Sequence, residues 1–257
     1  MVRPNSQFAV KQDTRTNDYR SSEDALYGML HEVSIPESEL CENLALFTTP
    51  QHLRRMLFLY EMYKKCLTVP GVIMQFGVRW GRELALFDSL RTAFEPFNHS
   101  RRIIGFDTFE GYVGIDDKDG SSMMLKKGNL ATSAGYEAEL DHLLRTREQL
   151  SPLPHVKKFE LVKGDCEVTF PAYLEENPHT IVSMAHFDLN LYRPTRTCLE
   201  LIKPHLTKGS IVIIDEVNLK TFPGETLALR EVFNLNEIRL QRDPGINPTW
   251  PAYFIVE

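Results

Sequence analysis

The sequence predicts a single α/β domain on a seven-stranded, mostly parallel sheet covered by helices on both faces, with an antiparallel hairpin at one edge and N-terminal helices ahead of it. Three observations carry this. From residue 71 onward, short apolar runs rich in β-branched residues alternate with segments of helical periodicity. No Pro/Gly/Ser-rich linker divides the 257 residues. Finally, Gly71-Val-Ile-Met-Gln-Phe-Gly-Val-Arg-Trp-Gly81 leads from a strand through two glycines into a helix, and the next apolar run, Arg102-Ile-Ile-Gly-Phe-Asp107, ends in an acid. That order is the front half of a nucleotide-type binding crevice.

The elements follow in chain order. Residues 1–22 are polar and expected to be loose, and 22–32 read as a capped amphipathic helix. Thr49 and Pro50 suit the N-cap and first position of a longer helix. Its stripe at Leu53, Met56, Leu57, Tyr60, Tyr63 and Leu67 is expected to face the core. Pro70 and Gly71 end this N-terminal helical cap, residues 1–70, and the core occupies 71–257. Strands are predicted at 72–76, 103–106, 158–162, 181–188, 210–215, 237–240 and 253–256. Helices are predicted at 82–94, 136–149, 168–177, 194–206 and 225–233. A Pro-rich turn is expected between the last two strands. Residues 112–134 form a long loop, with Gly111, Gly114, Gly120 and Gly128 as candidate hinges of a lid.

Composition narrows the function. The chain is 42% hydrophobic and 25% charged, enough for a sizeable core. A net charge of -6 argues against nucleic acid as the main partner, which would call for a basic face. No apolar run approaches the ~20 residues that span a bilayer, and no signal peptide is expected in the polar N-terminus. The four cysteines form no C-x-x-C pair and read as reduced thiols of a cytoplasmic protein.

In such a sheet a ligand sits at the carboxyl ends of the strands. Those tips offer Gly77, Asp107, Gly164-Asp165, Asp188 with Asn190, and Asp215-Glu216. Asp107 can accept hydrogen bonds from both hydroxyls of a ribose. On the glycine and acid residues alone, adenosine binding and glycines that serve only the fold are both open readings. The Gly-x-Gly-x-x-Gly dinucleotide fingerprint and the phosphate-cradling Gly-x-x-x-x-Gly-Lys-Ser/Thr loop are absent. Asp188, Asp215 and Glu216 come from two strand ends that can lie side by side, and carboxylates without a histidine or cysteine cluster suit Mg²⁺ or another hard divalent cation. The alternative is that Asp215 and Glu216 cap a loop while Asp188 pairs with an arginine such as Arg193. His186, two residues before Asp188, is a hydrogen-bonded core residue on the favoured reading and a base on the other. Trp80 could stack on a ligand or cover the sheet, and Tyr192 could meet a substrate or serve its turn.

Ala185-His-Phe-Asp-Leu-Asn-Leu-Tyr-Arg-Pro-Thr195 and Leu201-Ile-Lys-Pro-His-Leu-Thr-Lys-Gly-Ser-Ile-Val-Ile-Ile-Asp-Glu216 resemble the macrocin O-methyltransferase (TylF-like) family, which reads H-L-D-x-D-L-Y-x-P-T and L-x-P-x-L-x-x-G-G-x-I-x-x-D-D. Gln75–Gly81 is similar to its E-x-G-V-W-x-G, Phe106–Gly111 to its D-S-F-E-G, and Phe47-Thr-Thr-Pro50 to a segment ahead of its first strand. The resemblance spans residues 45–220 and points to sugar O-methyltransferases of antibiotic pathways, the calicheamicin pathway among them. It implies a class I, Rossmann-like fold dependent on S-adenosyl-L-methionine (SAM). It implies a cofactor site at Gln75, Gly77, Gly81, Asp107, Thr108, Phe109, Asp165 and Cys166. It also implies a metal held by Asp188, Asp215 and Glu216, Asp188 as base with His186 in reserve, a sugar or nucleotide-sugar acceptor, and a homo-oligomer. Three positions depart from the pattern: Gln75 replaces an acid, Asn190 the second Asp of D-x-D, and Glu216 the second Asp of D-D.

Two rival readings remain. A nucleotide-sugar oxidoreductase or epimerase would need a Tyr-x-x-x-Lys pair, and the one present, Tyr60-Glu-Met-Tyr-Lys64, precedes the first strand. A non-catalytic, metal-binding α/β domain would leave the acids at the cofactor positions unexplained.

Overall fold

The computed structural model describes residues 16–243 and 251–257. Residues 1–15 of the polar N-terminal segment and the Pro-rich turn at 244–250 lie outside the described residues. The first helix, α1 (Asn17–Met29), starts earlier than expected, because Thr16 caps it by accepting from the Tyr19 N–H at 3.2 Å. A single turn, α2 (Glu37–Leu40), was too short to show periodicity. Thr49 caps α3 (Pro50–Cys66) as predicted, accepting from the His52 N–H at 3.4 Å.

The face that α3 buries overlaps the predicted one at Tyr63 and otherwise differs from it. Leu53, Met56 and Leu57 are exposed, whereas Arg55, Phe58, Leu59, Met62, Tyr63 and Cys66 are buried. The helix carries two apolar stripes, and the one interrupted by an arginine faces inward. A buried arginine is costly without partners; here the strand tips supply them.

The core then runs β1 (Val72–Phe76), α4 (Arg82–Phe94), β2 (Ile103–Asp107), α5 (Tyr136–Glu148), β3 (Phe159–Lys163), α6 (Cys166–Glu176), β4 (Val182–Phe187), α7 (Tyr192–Ile202), β5 (Leu206–Ile214), α8 (Gly224–Val232), β6 (Gln241–Arg242) and β7 (Ala252–Ile255). The strand expected at 237–240 is replaced by β6, because Asn234 and Glu237 close a turn through Nδ2–H···Oε1 (2.8 Å) and a backbone bond of 2.9 Å. The sheet order is β3-β2-β1-β4-β5-β7-β6. Strands β1 to β5 are parallel, and β7 runs antiparallel to both β5 and β6. Among the described residues, no helix is long and apolar enough to cross a membrane.

Strand alternation sorts the side chains into two layers. Met74, Phe76, Ala185, Phe187, Val212 and Ile214 pack with α6, α7 and α8. Phe76 sits between Phe106 and Phe187, with ring centroids 5.0 and 4.6 Å away. Ile73, Met184, Ile211 and Ile213 pack against α3, α4 and α5. The chain reverses its direction of travel across the sheet between β1 and β4, which opens a crevice at their carboxyl ends.

Candidate active site

The turn after β1 is shaped by close approach of chain to chain. Gly77 has φ +90°, and a Cβ there would lie 2.1 Å from the Asp188 carbonyl oxygen. Gly81 has φ +77°, and a Cβ would meet the Leu140 side chain at 2.5 Å. Both glycines are thus required by the fold itself.

Asp107, at the tip of β2, gathers the loops around it. Its Oδ2 accepts from the N–H groups of Val78 (2.6 Å) and Arg79 (2.7 Å), and its Oδ1 accepts from Phe109 (2.6 Å). A carboxylate offers about four acceptor positions. One therefore remains on Oδ1, enough for a single ribose hydroxyl with these loops in place rather than the two expected. Thr108 serves its turn, donating to the Gly111 carbonyl at 2.9 Å. Phe109 is buried at φ +58°.

A cavity of about 350 Å³ opens at the switch point. Of the cofactor residues predicted, Gly77, Asp107, Thr108, Asp165 and Cys166 line it; Gln75, Gly81 and Phe109 stand behind the wall. Gln75 is fully buried and donates through Nε2 to the Gly77 carbonyl at 2.8 Å. Asp165 caps α6, its Oδ1 accepting from the Glu167 N–H at 2.9 Å. Trp80 is part of the wall and meets Tyr136 edge to face at 4.7 Å. Tyr192 is not part of it: its hydroxyl binds Glu231 and accepts from Lys118 Nζ at 2.8 Å.

On the α3 side of the crevice, Arg55 meets three carboxylates. Its Nε–H donates to Glu83 Oε1 (2.9 Å) and its Nη1–H to Asp215 Oδ2 (3.0 Å). Its Nη2 lies 2.9 Å from Asp215 Oδ1 and 3.3 Å from Asp188 Oδ2. His186 is fully buried, with Nε2 3.2 Å from Asp215 Oδ1 and Nδ1 without a hydrogen-bond partner among the described residues. His186, Asp188 and Asp215 bring ligand atoms within 4.8 Å of one another, a grouping that could hold a metal ion. Asp188 is the member that lines the cavity, its side chain 30% exposed. Its counter-ion is Arg55, not Arg193, which lies on Glu167 at 3.5 Å.

Among the described residues Glu216 is not part of this group, where the sequence led us to expect it as a ligand beside Asp188 and Asp215. It lies in the bend that follows β5, directly after Asp215. There the Asn190 amide, oriented to satisfy both neighbours, donates to the Glu216 carboxyl oxygens at 3.0 and 3.2 Å and accepts from the Tyr112 hydroxyl at 3.2 Å. Glu225, from α8, ties the two tips together. Its Oε1 accepts from the N–H groups of Leu189 (2.8 Å) and Asn190 (3.0 Å), and its Oε2 from that of Glu216 (2.9 Å).

The electrostatics divide these acids. Burial, then the neighbouring Asp215, pushes the Asp188 carboxyl up to about 7 against the pull of Arg55. Burial would also raise Asp215, but Arg55 and the His186 hydrogen bond hold it well below the usual range. Glu83 behaves likewise: Arg55 and Arg82 overcome its burial and hold it at about 2. Burial and the adjacent Glu225 raise Glu216 well above the ordinary carboxylate value. One carboxyl poised near neutrality and open to a cavity, beside others kept ionised or neutral, is the pattern of a proton acceptor with fixed supports.

Arg55, Glu83, Tyr112 and Glu225 escaped the sequence reading. Glu83 resembles any acid in a first helical turn, Arg55 interrupts an apolar stripe, and Glu225 follows a plain Pro-Gly pair. Tyr112 opens the 112–134 loop, which also gives Val113 and Leu130 to the cavity wall. That loop is pinned at its middle by the buried Asp119, whose Oδ1 accepts from the Tyr192 N–H at 2.5 Å.

No known family profile matches the chain, and neither does any curated protein. Solved structures do. The chain is similar to CalS11, described as a calicheamicin methyltransferase, with 40% identity over 97% of this chain and 99% of that one and a TM-score of 0.91. An apo structure of CalS11, described as a TDP-rhamnose 3'-O-methyltransferase of calicheamicin biosynthesis, gives 39% identity over 95% and 96%, with a TM-score of 0.83. The O-methyltransferase NovP shares 18% identity over 92% and 98% at a TM-score of 0.61, a likeness of fold.

Proposed function

Because the chain belongs to the family of SAM-dependent sugar O-methyltransferases, we propose that it methylates a hydroxyl of a deoxyhexose carried on a nucleoside diphosphate. The carrying observation is the Asp188 carboxyl, poised near neutral pH on the wall of the switch-point cavity and braced through Arg55 by Asp215 and Glu83. The described activity of CalS11 on a TDP-linked rhamnose supports this choice of acceptor. The oxidoreductase or epimerase reading and the non-catalytic reading have no such support.

SAM would lie along Gly77, Asp107 and Asp165, with the open acceptor position of Asp107 Oδ1 toward a ribose hydroxyl. When bound, it supplies an electrophilic methyl group on a sulfonium sulfur. His186, Asp188 and Asp215 offer two carboxylates, which suit Mg²⁺ or Mn²⁺, and an imidazole, which suits a softer divalent ion. An ion there would lower the pKa of the acceptor hydroxyl. Asp188 removes the hydroxyl proton as the oxygen takes the methyl group. His186 is a positioning residue on this reading, since it is fully buried against Asp215 and absent from the cavity wall. Glu216, with Asn190 and Tyr112, shapes the acceptor side. The loop at 112–134 closes over the acceptor, and the protein works as a cytoplasmic homo-oligomer, without nucleic acid or membrane as partner.

The test is incubation of the purified chain with SAM and TDP-rhamnose, read by mass spectrometry. One added methyl group on the sugar and one equivalent of S-adenosylhomocysteine are expected. Bound S-adenosylhomocysteine with no methylation of any nucleotide sugar, but turnover of a glycosylated product, would overturn the acceptor class. Failure to bind either form of the cofactor would overturn the site.

A further inference from the structure

The helical cap reaches into the crevice through one side chain. Arg55 is buried on α3, yet its partners lie on α4 and at the tips of β4 and β5. Its guanidinium holds both oxygens of Asp215 and one of Asp188. Asp215 Oδ1 also meets His186 Nε2, so both of its acceptor positions are taken. An ion gathered by His186, Asp188 and Asp215 would draw on these same two carboxylates. A divalent cation and a guanidinium sharing two carboxylates would also repel each other strongly in so buried a site. Glu83 provides a place of retreat. It binds the Arg55 Nε–H at 2.9 Å and is separately held by Arg82. Arg55 can therefore leave the strand tips without stranding Glu83 as an unpaired buried charge.

We propose that Arg55 and a divalent ion are alternative counter-ions of Asp188 and Asp215, so that ion binding loosens the grip of α3 on the catalytic crevice. The inference rests on the proposed ion site. It assigns Arg55 the role of a positioning residue that sets ion affinity and keeps the two carboxylates in place when no ion is bound. It also couples the cap to the reaction: the helix that supplies Arg55 senses whether the crevice is charged with metal.

The experiment titrates Mn²⁺ into the full chain saturated with S-adenosylhomocysteine, following the free ion by electron paramagnetic resonance. Arg55→Gln should tighten Mn²⁺ binding by at least about tenfold. Arg55→Lys keeps the positive charge and should stay within about threefold of the wild type. Equal or weaker binding in Arg55→Gln overturns the proposal, as does equal tightening in both variants. Wild-type protein gives a second readout that needs no variant to fold. Amide hydrogen exchange across residues 50–66 should quicken when Mn²⁺ is added, and unchanged or slower exchange there overturns the coupling. Retained S-adenosylhomocysteine binding alongside a negative result would leave the methyltransferase reading standing and remove only the role of Arg55.

Discussion

Replacing Asp107 tests the organisation of the cofactor side most directly. Asp107→Ala removes three short, charge-assisted acceptor contacts to Val78, Arg79 and Phe109. At about 1.5–3 kcal/mol each their nominal sum is large, but these loops line an open cavity and water can reach the freed N–H groups, so a net loss of about 2–4 kcal/mol is expected. For a domain of this size that lowers the melting temperature by roughly 5–15 °C. Cofactor binding falls further, because the acceptor position left for a ribose hydroxyl goes with the carboxylate. Losing that bond costs about 1.5–3 kcal/mol, or roughly ten- to hundredfold in Kd. Asp107→Asn keeps one oxygen for Val78 and Arg79 but turns an amide N–H toward the Phe109 N–H, so it should fall between wild type and alanine in both properties. Calorimetry with S-adenosylhomocysteine and thermal melts of the three proteins make the comparison. An alanine variant that binds within about threefold of wild type, with an unshifted melt, would refute the claim that this carboxylate organises the site.

The other expectations concern the acids near Arg55. Asp188→Asn should lower kcat by ~10²–10⁴-fold while leaving S-adenosylhomocysteine affinity within a few-fold. With no ion bound, this carboxyl is pushed up to about 7, so the kcat that remains after chelation should climb with pH and level off above that value; a flat profile from pH ~5 to ~9 in the chelated protein would remove Asp188 as the base. Glu83 gives a stability test. Its carboxyl is held at about 2 in the folded protein against 4.5 ordinarily, so its contribution, on the order of 3 kcal/mol, is present above 4.5 and lost as pH falls toward 2. The melting-temperature gap between wild type and Glu83→Gln should accordingly shrink between about pH 6 and about pH 2.5, and a constant gap would contradict the ion pairing.

Local chemistry made much of this protein legible. Pro70-Gly71, Gly77 and Gly81 punctuate β1 and α4 so strongly that both elements have the predicted bounds. Thr49-Pro50 did the same for the start of α3. The strand-tip acids followed from topology, because a parallel sheet delivers its tips to one edge, and the motifs around Asp188 and Asp215 pointed to the family. Elsewhere the deciding partners were distant in sequence. Helical periodicity pointed to the stripe through Leu53, Met56 and Leu57 on α3, and the carboxylates of Glu83, Asp188 and Asp215 made it favourable to bury the face containing Arg55 instead. Adjacent acids in the chain, Asp215 and Glu216, read as a pair, but in the bend after β5 Asp215 meets Arg55 and His186 while Glu216 meets Asn190. Glu225 carried no motif at all, since its task is to satisfy three backbone N–H groups that exist as a cluster only once β4 and β5 lie side by side. The sequence by itself therefore determined the elements, their order and the acids at the crevice, because these depend on short-range propensity and strand direction. Which acids meet, which cation they meet and which of them faces the cavity was decided by tertiary structure, because burying a charge is tolerable only where packing brings its partner.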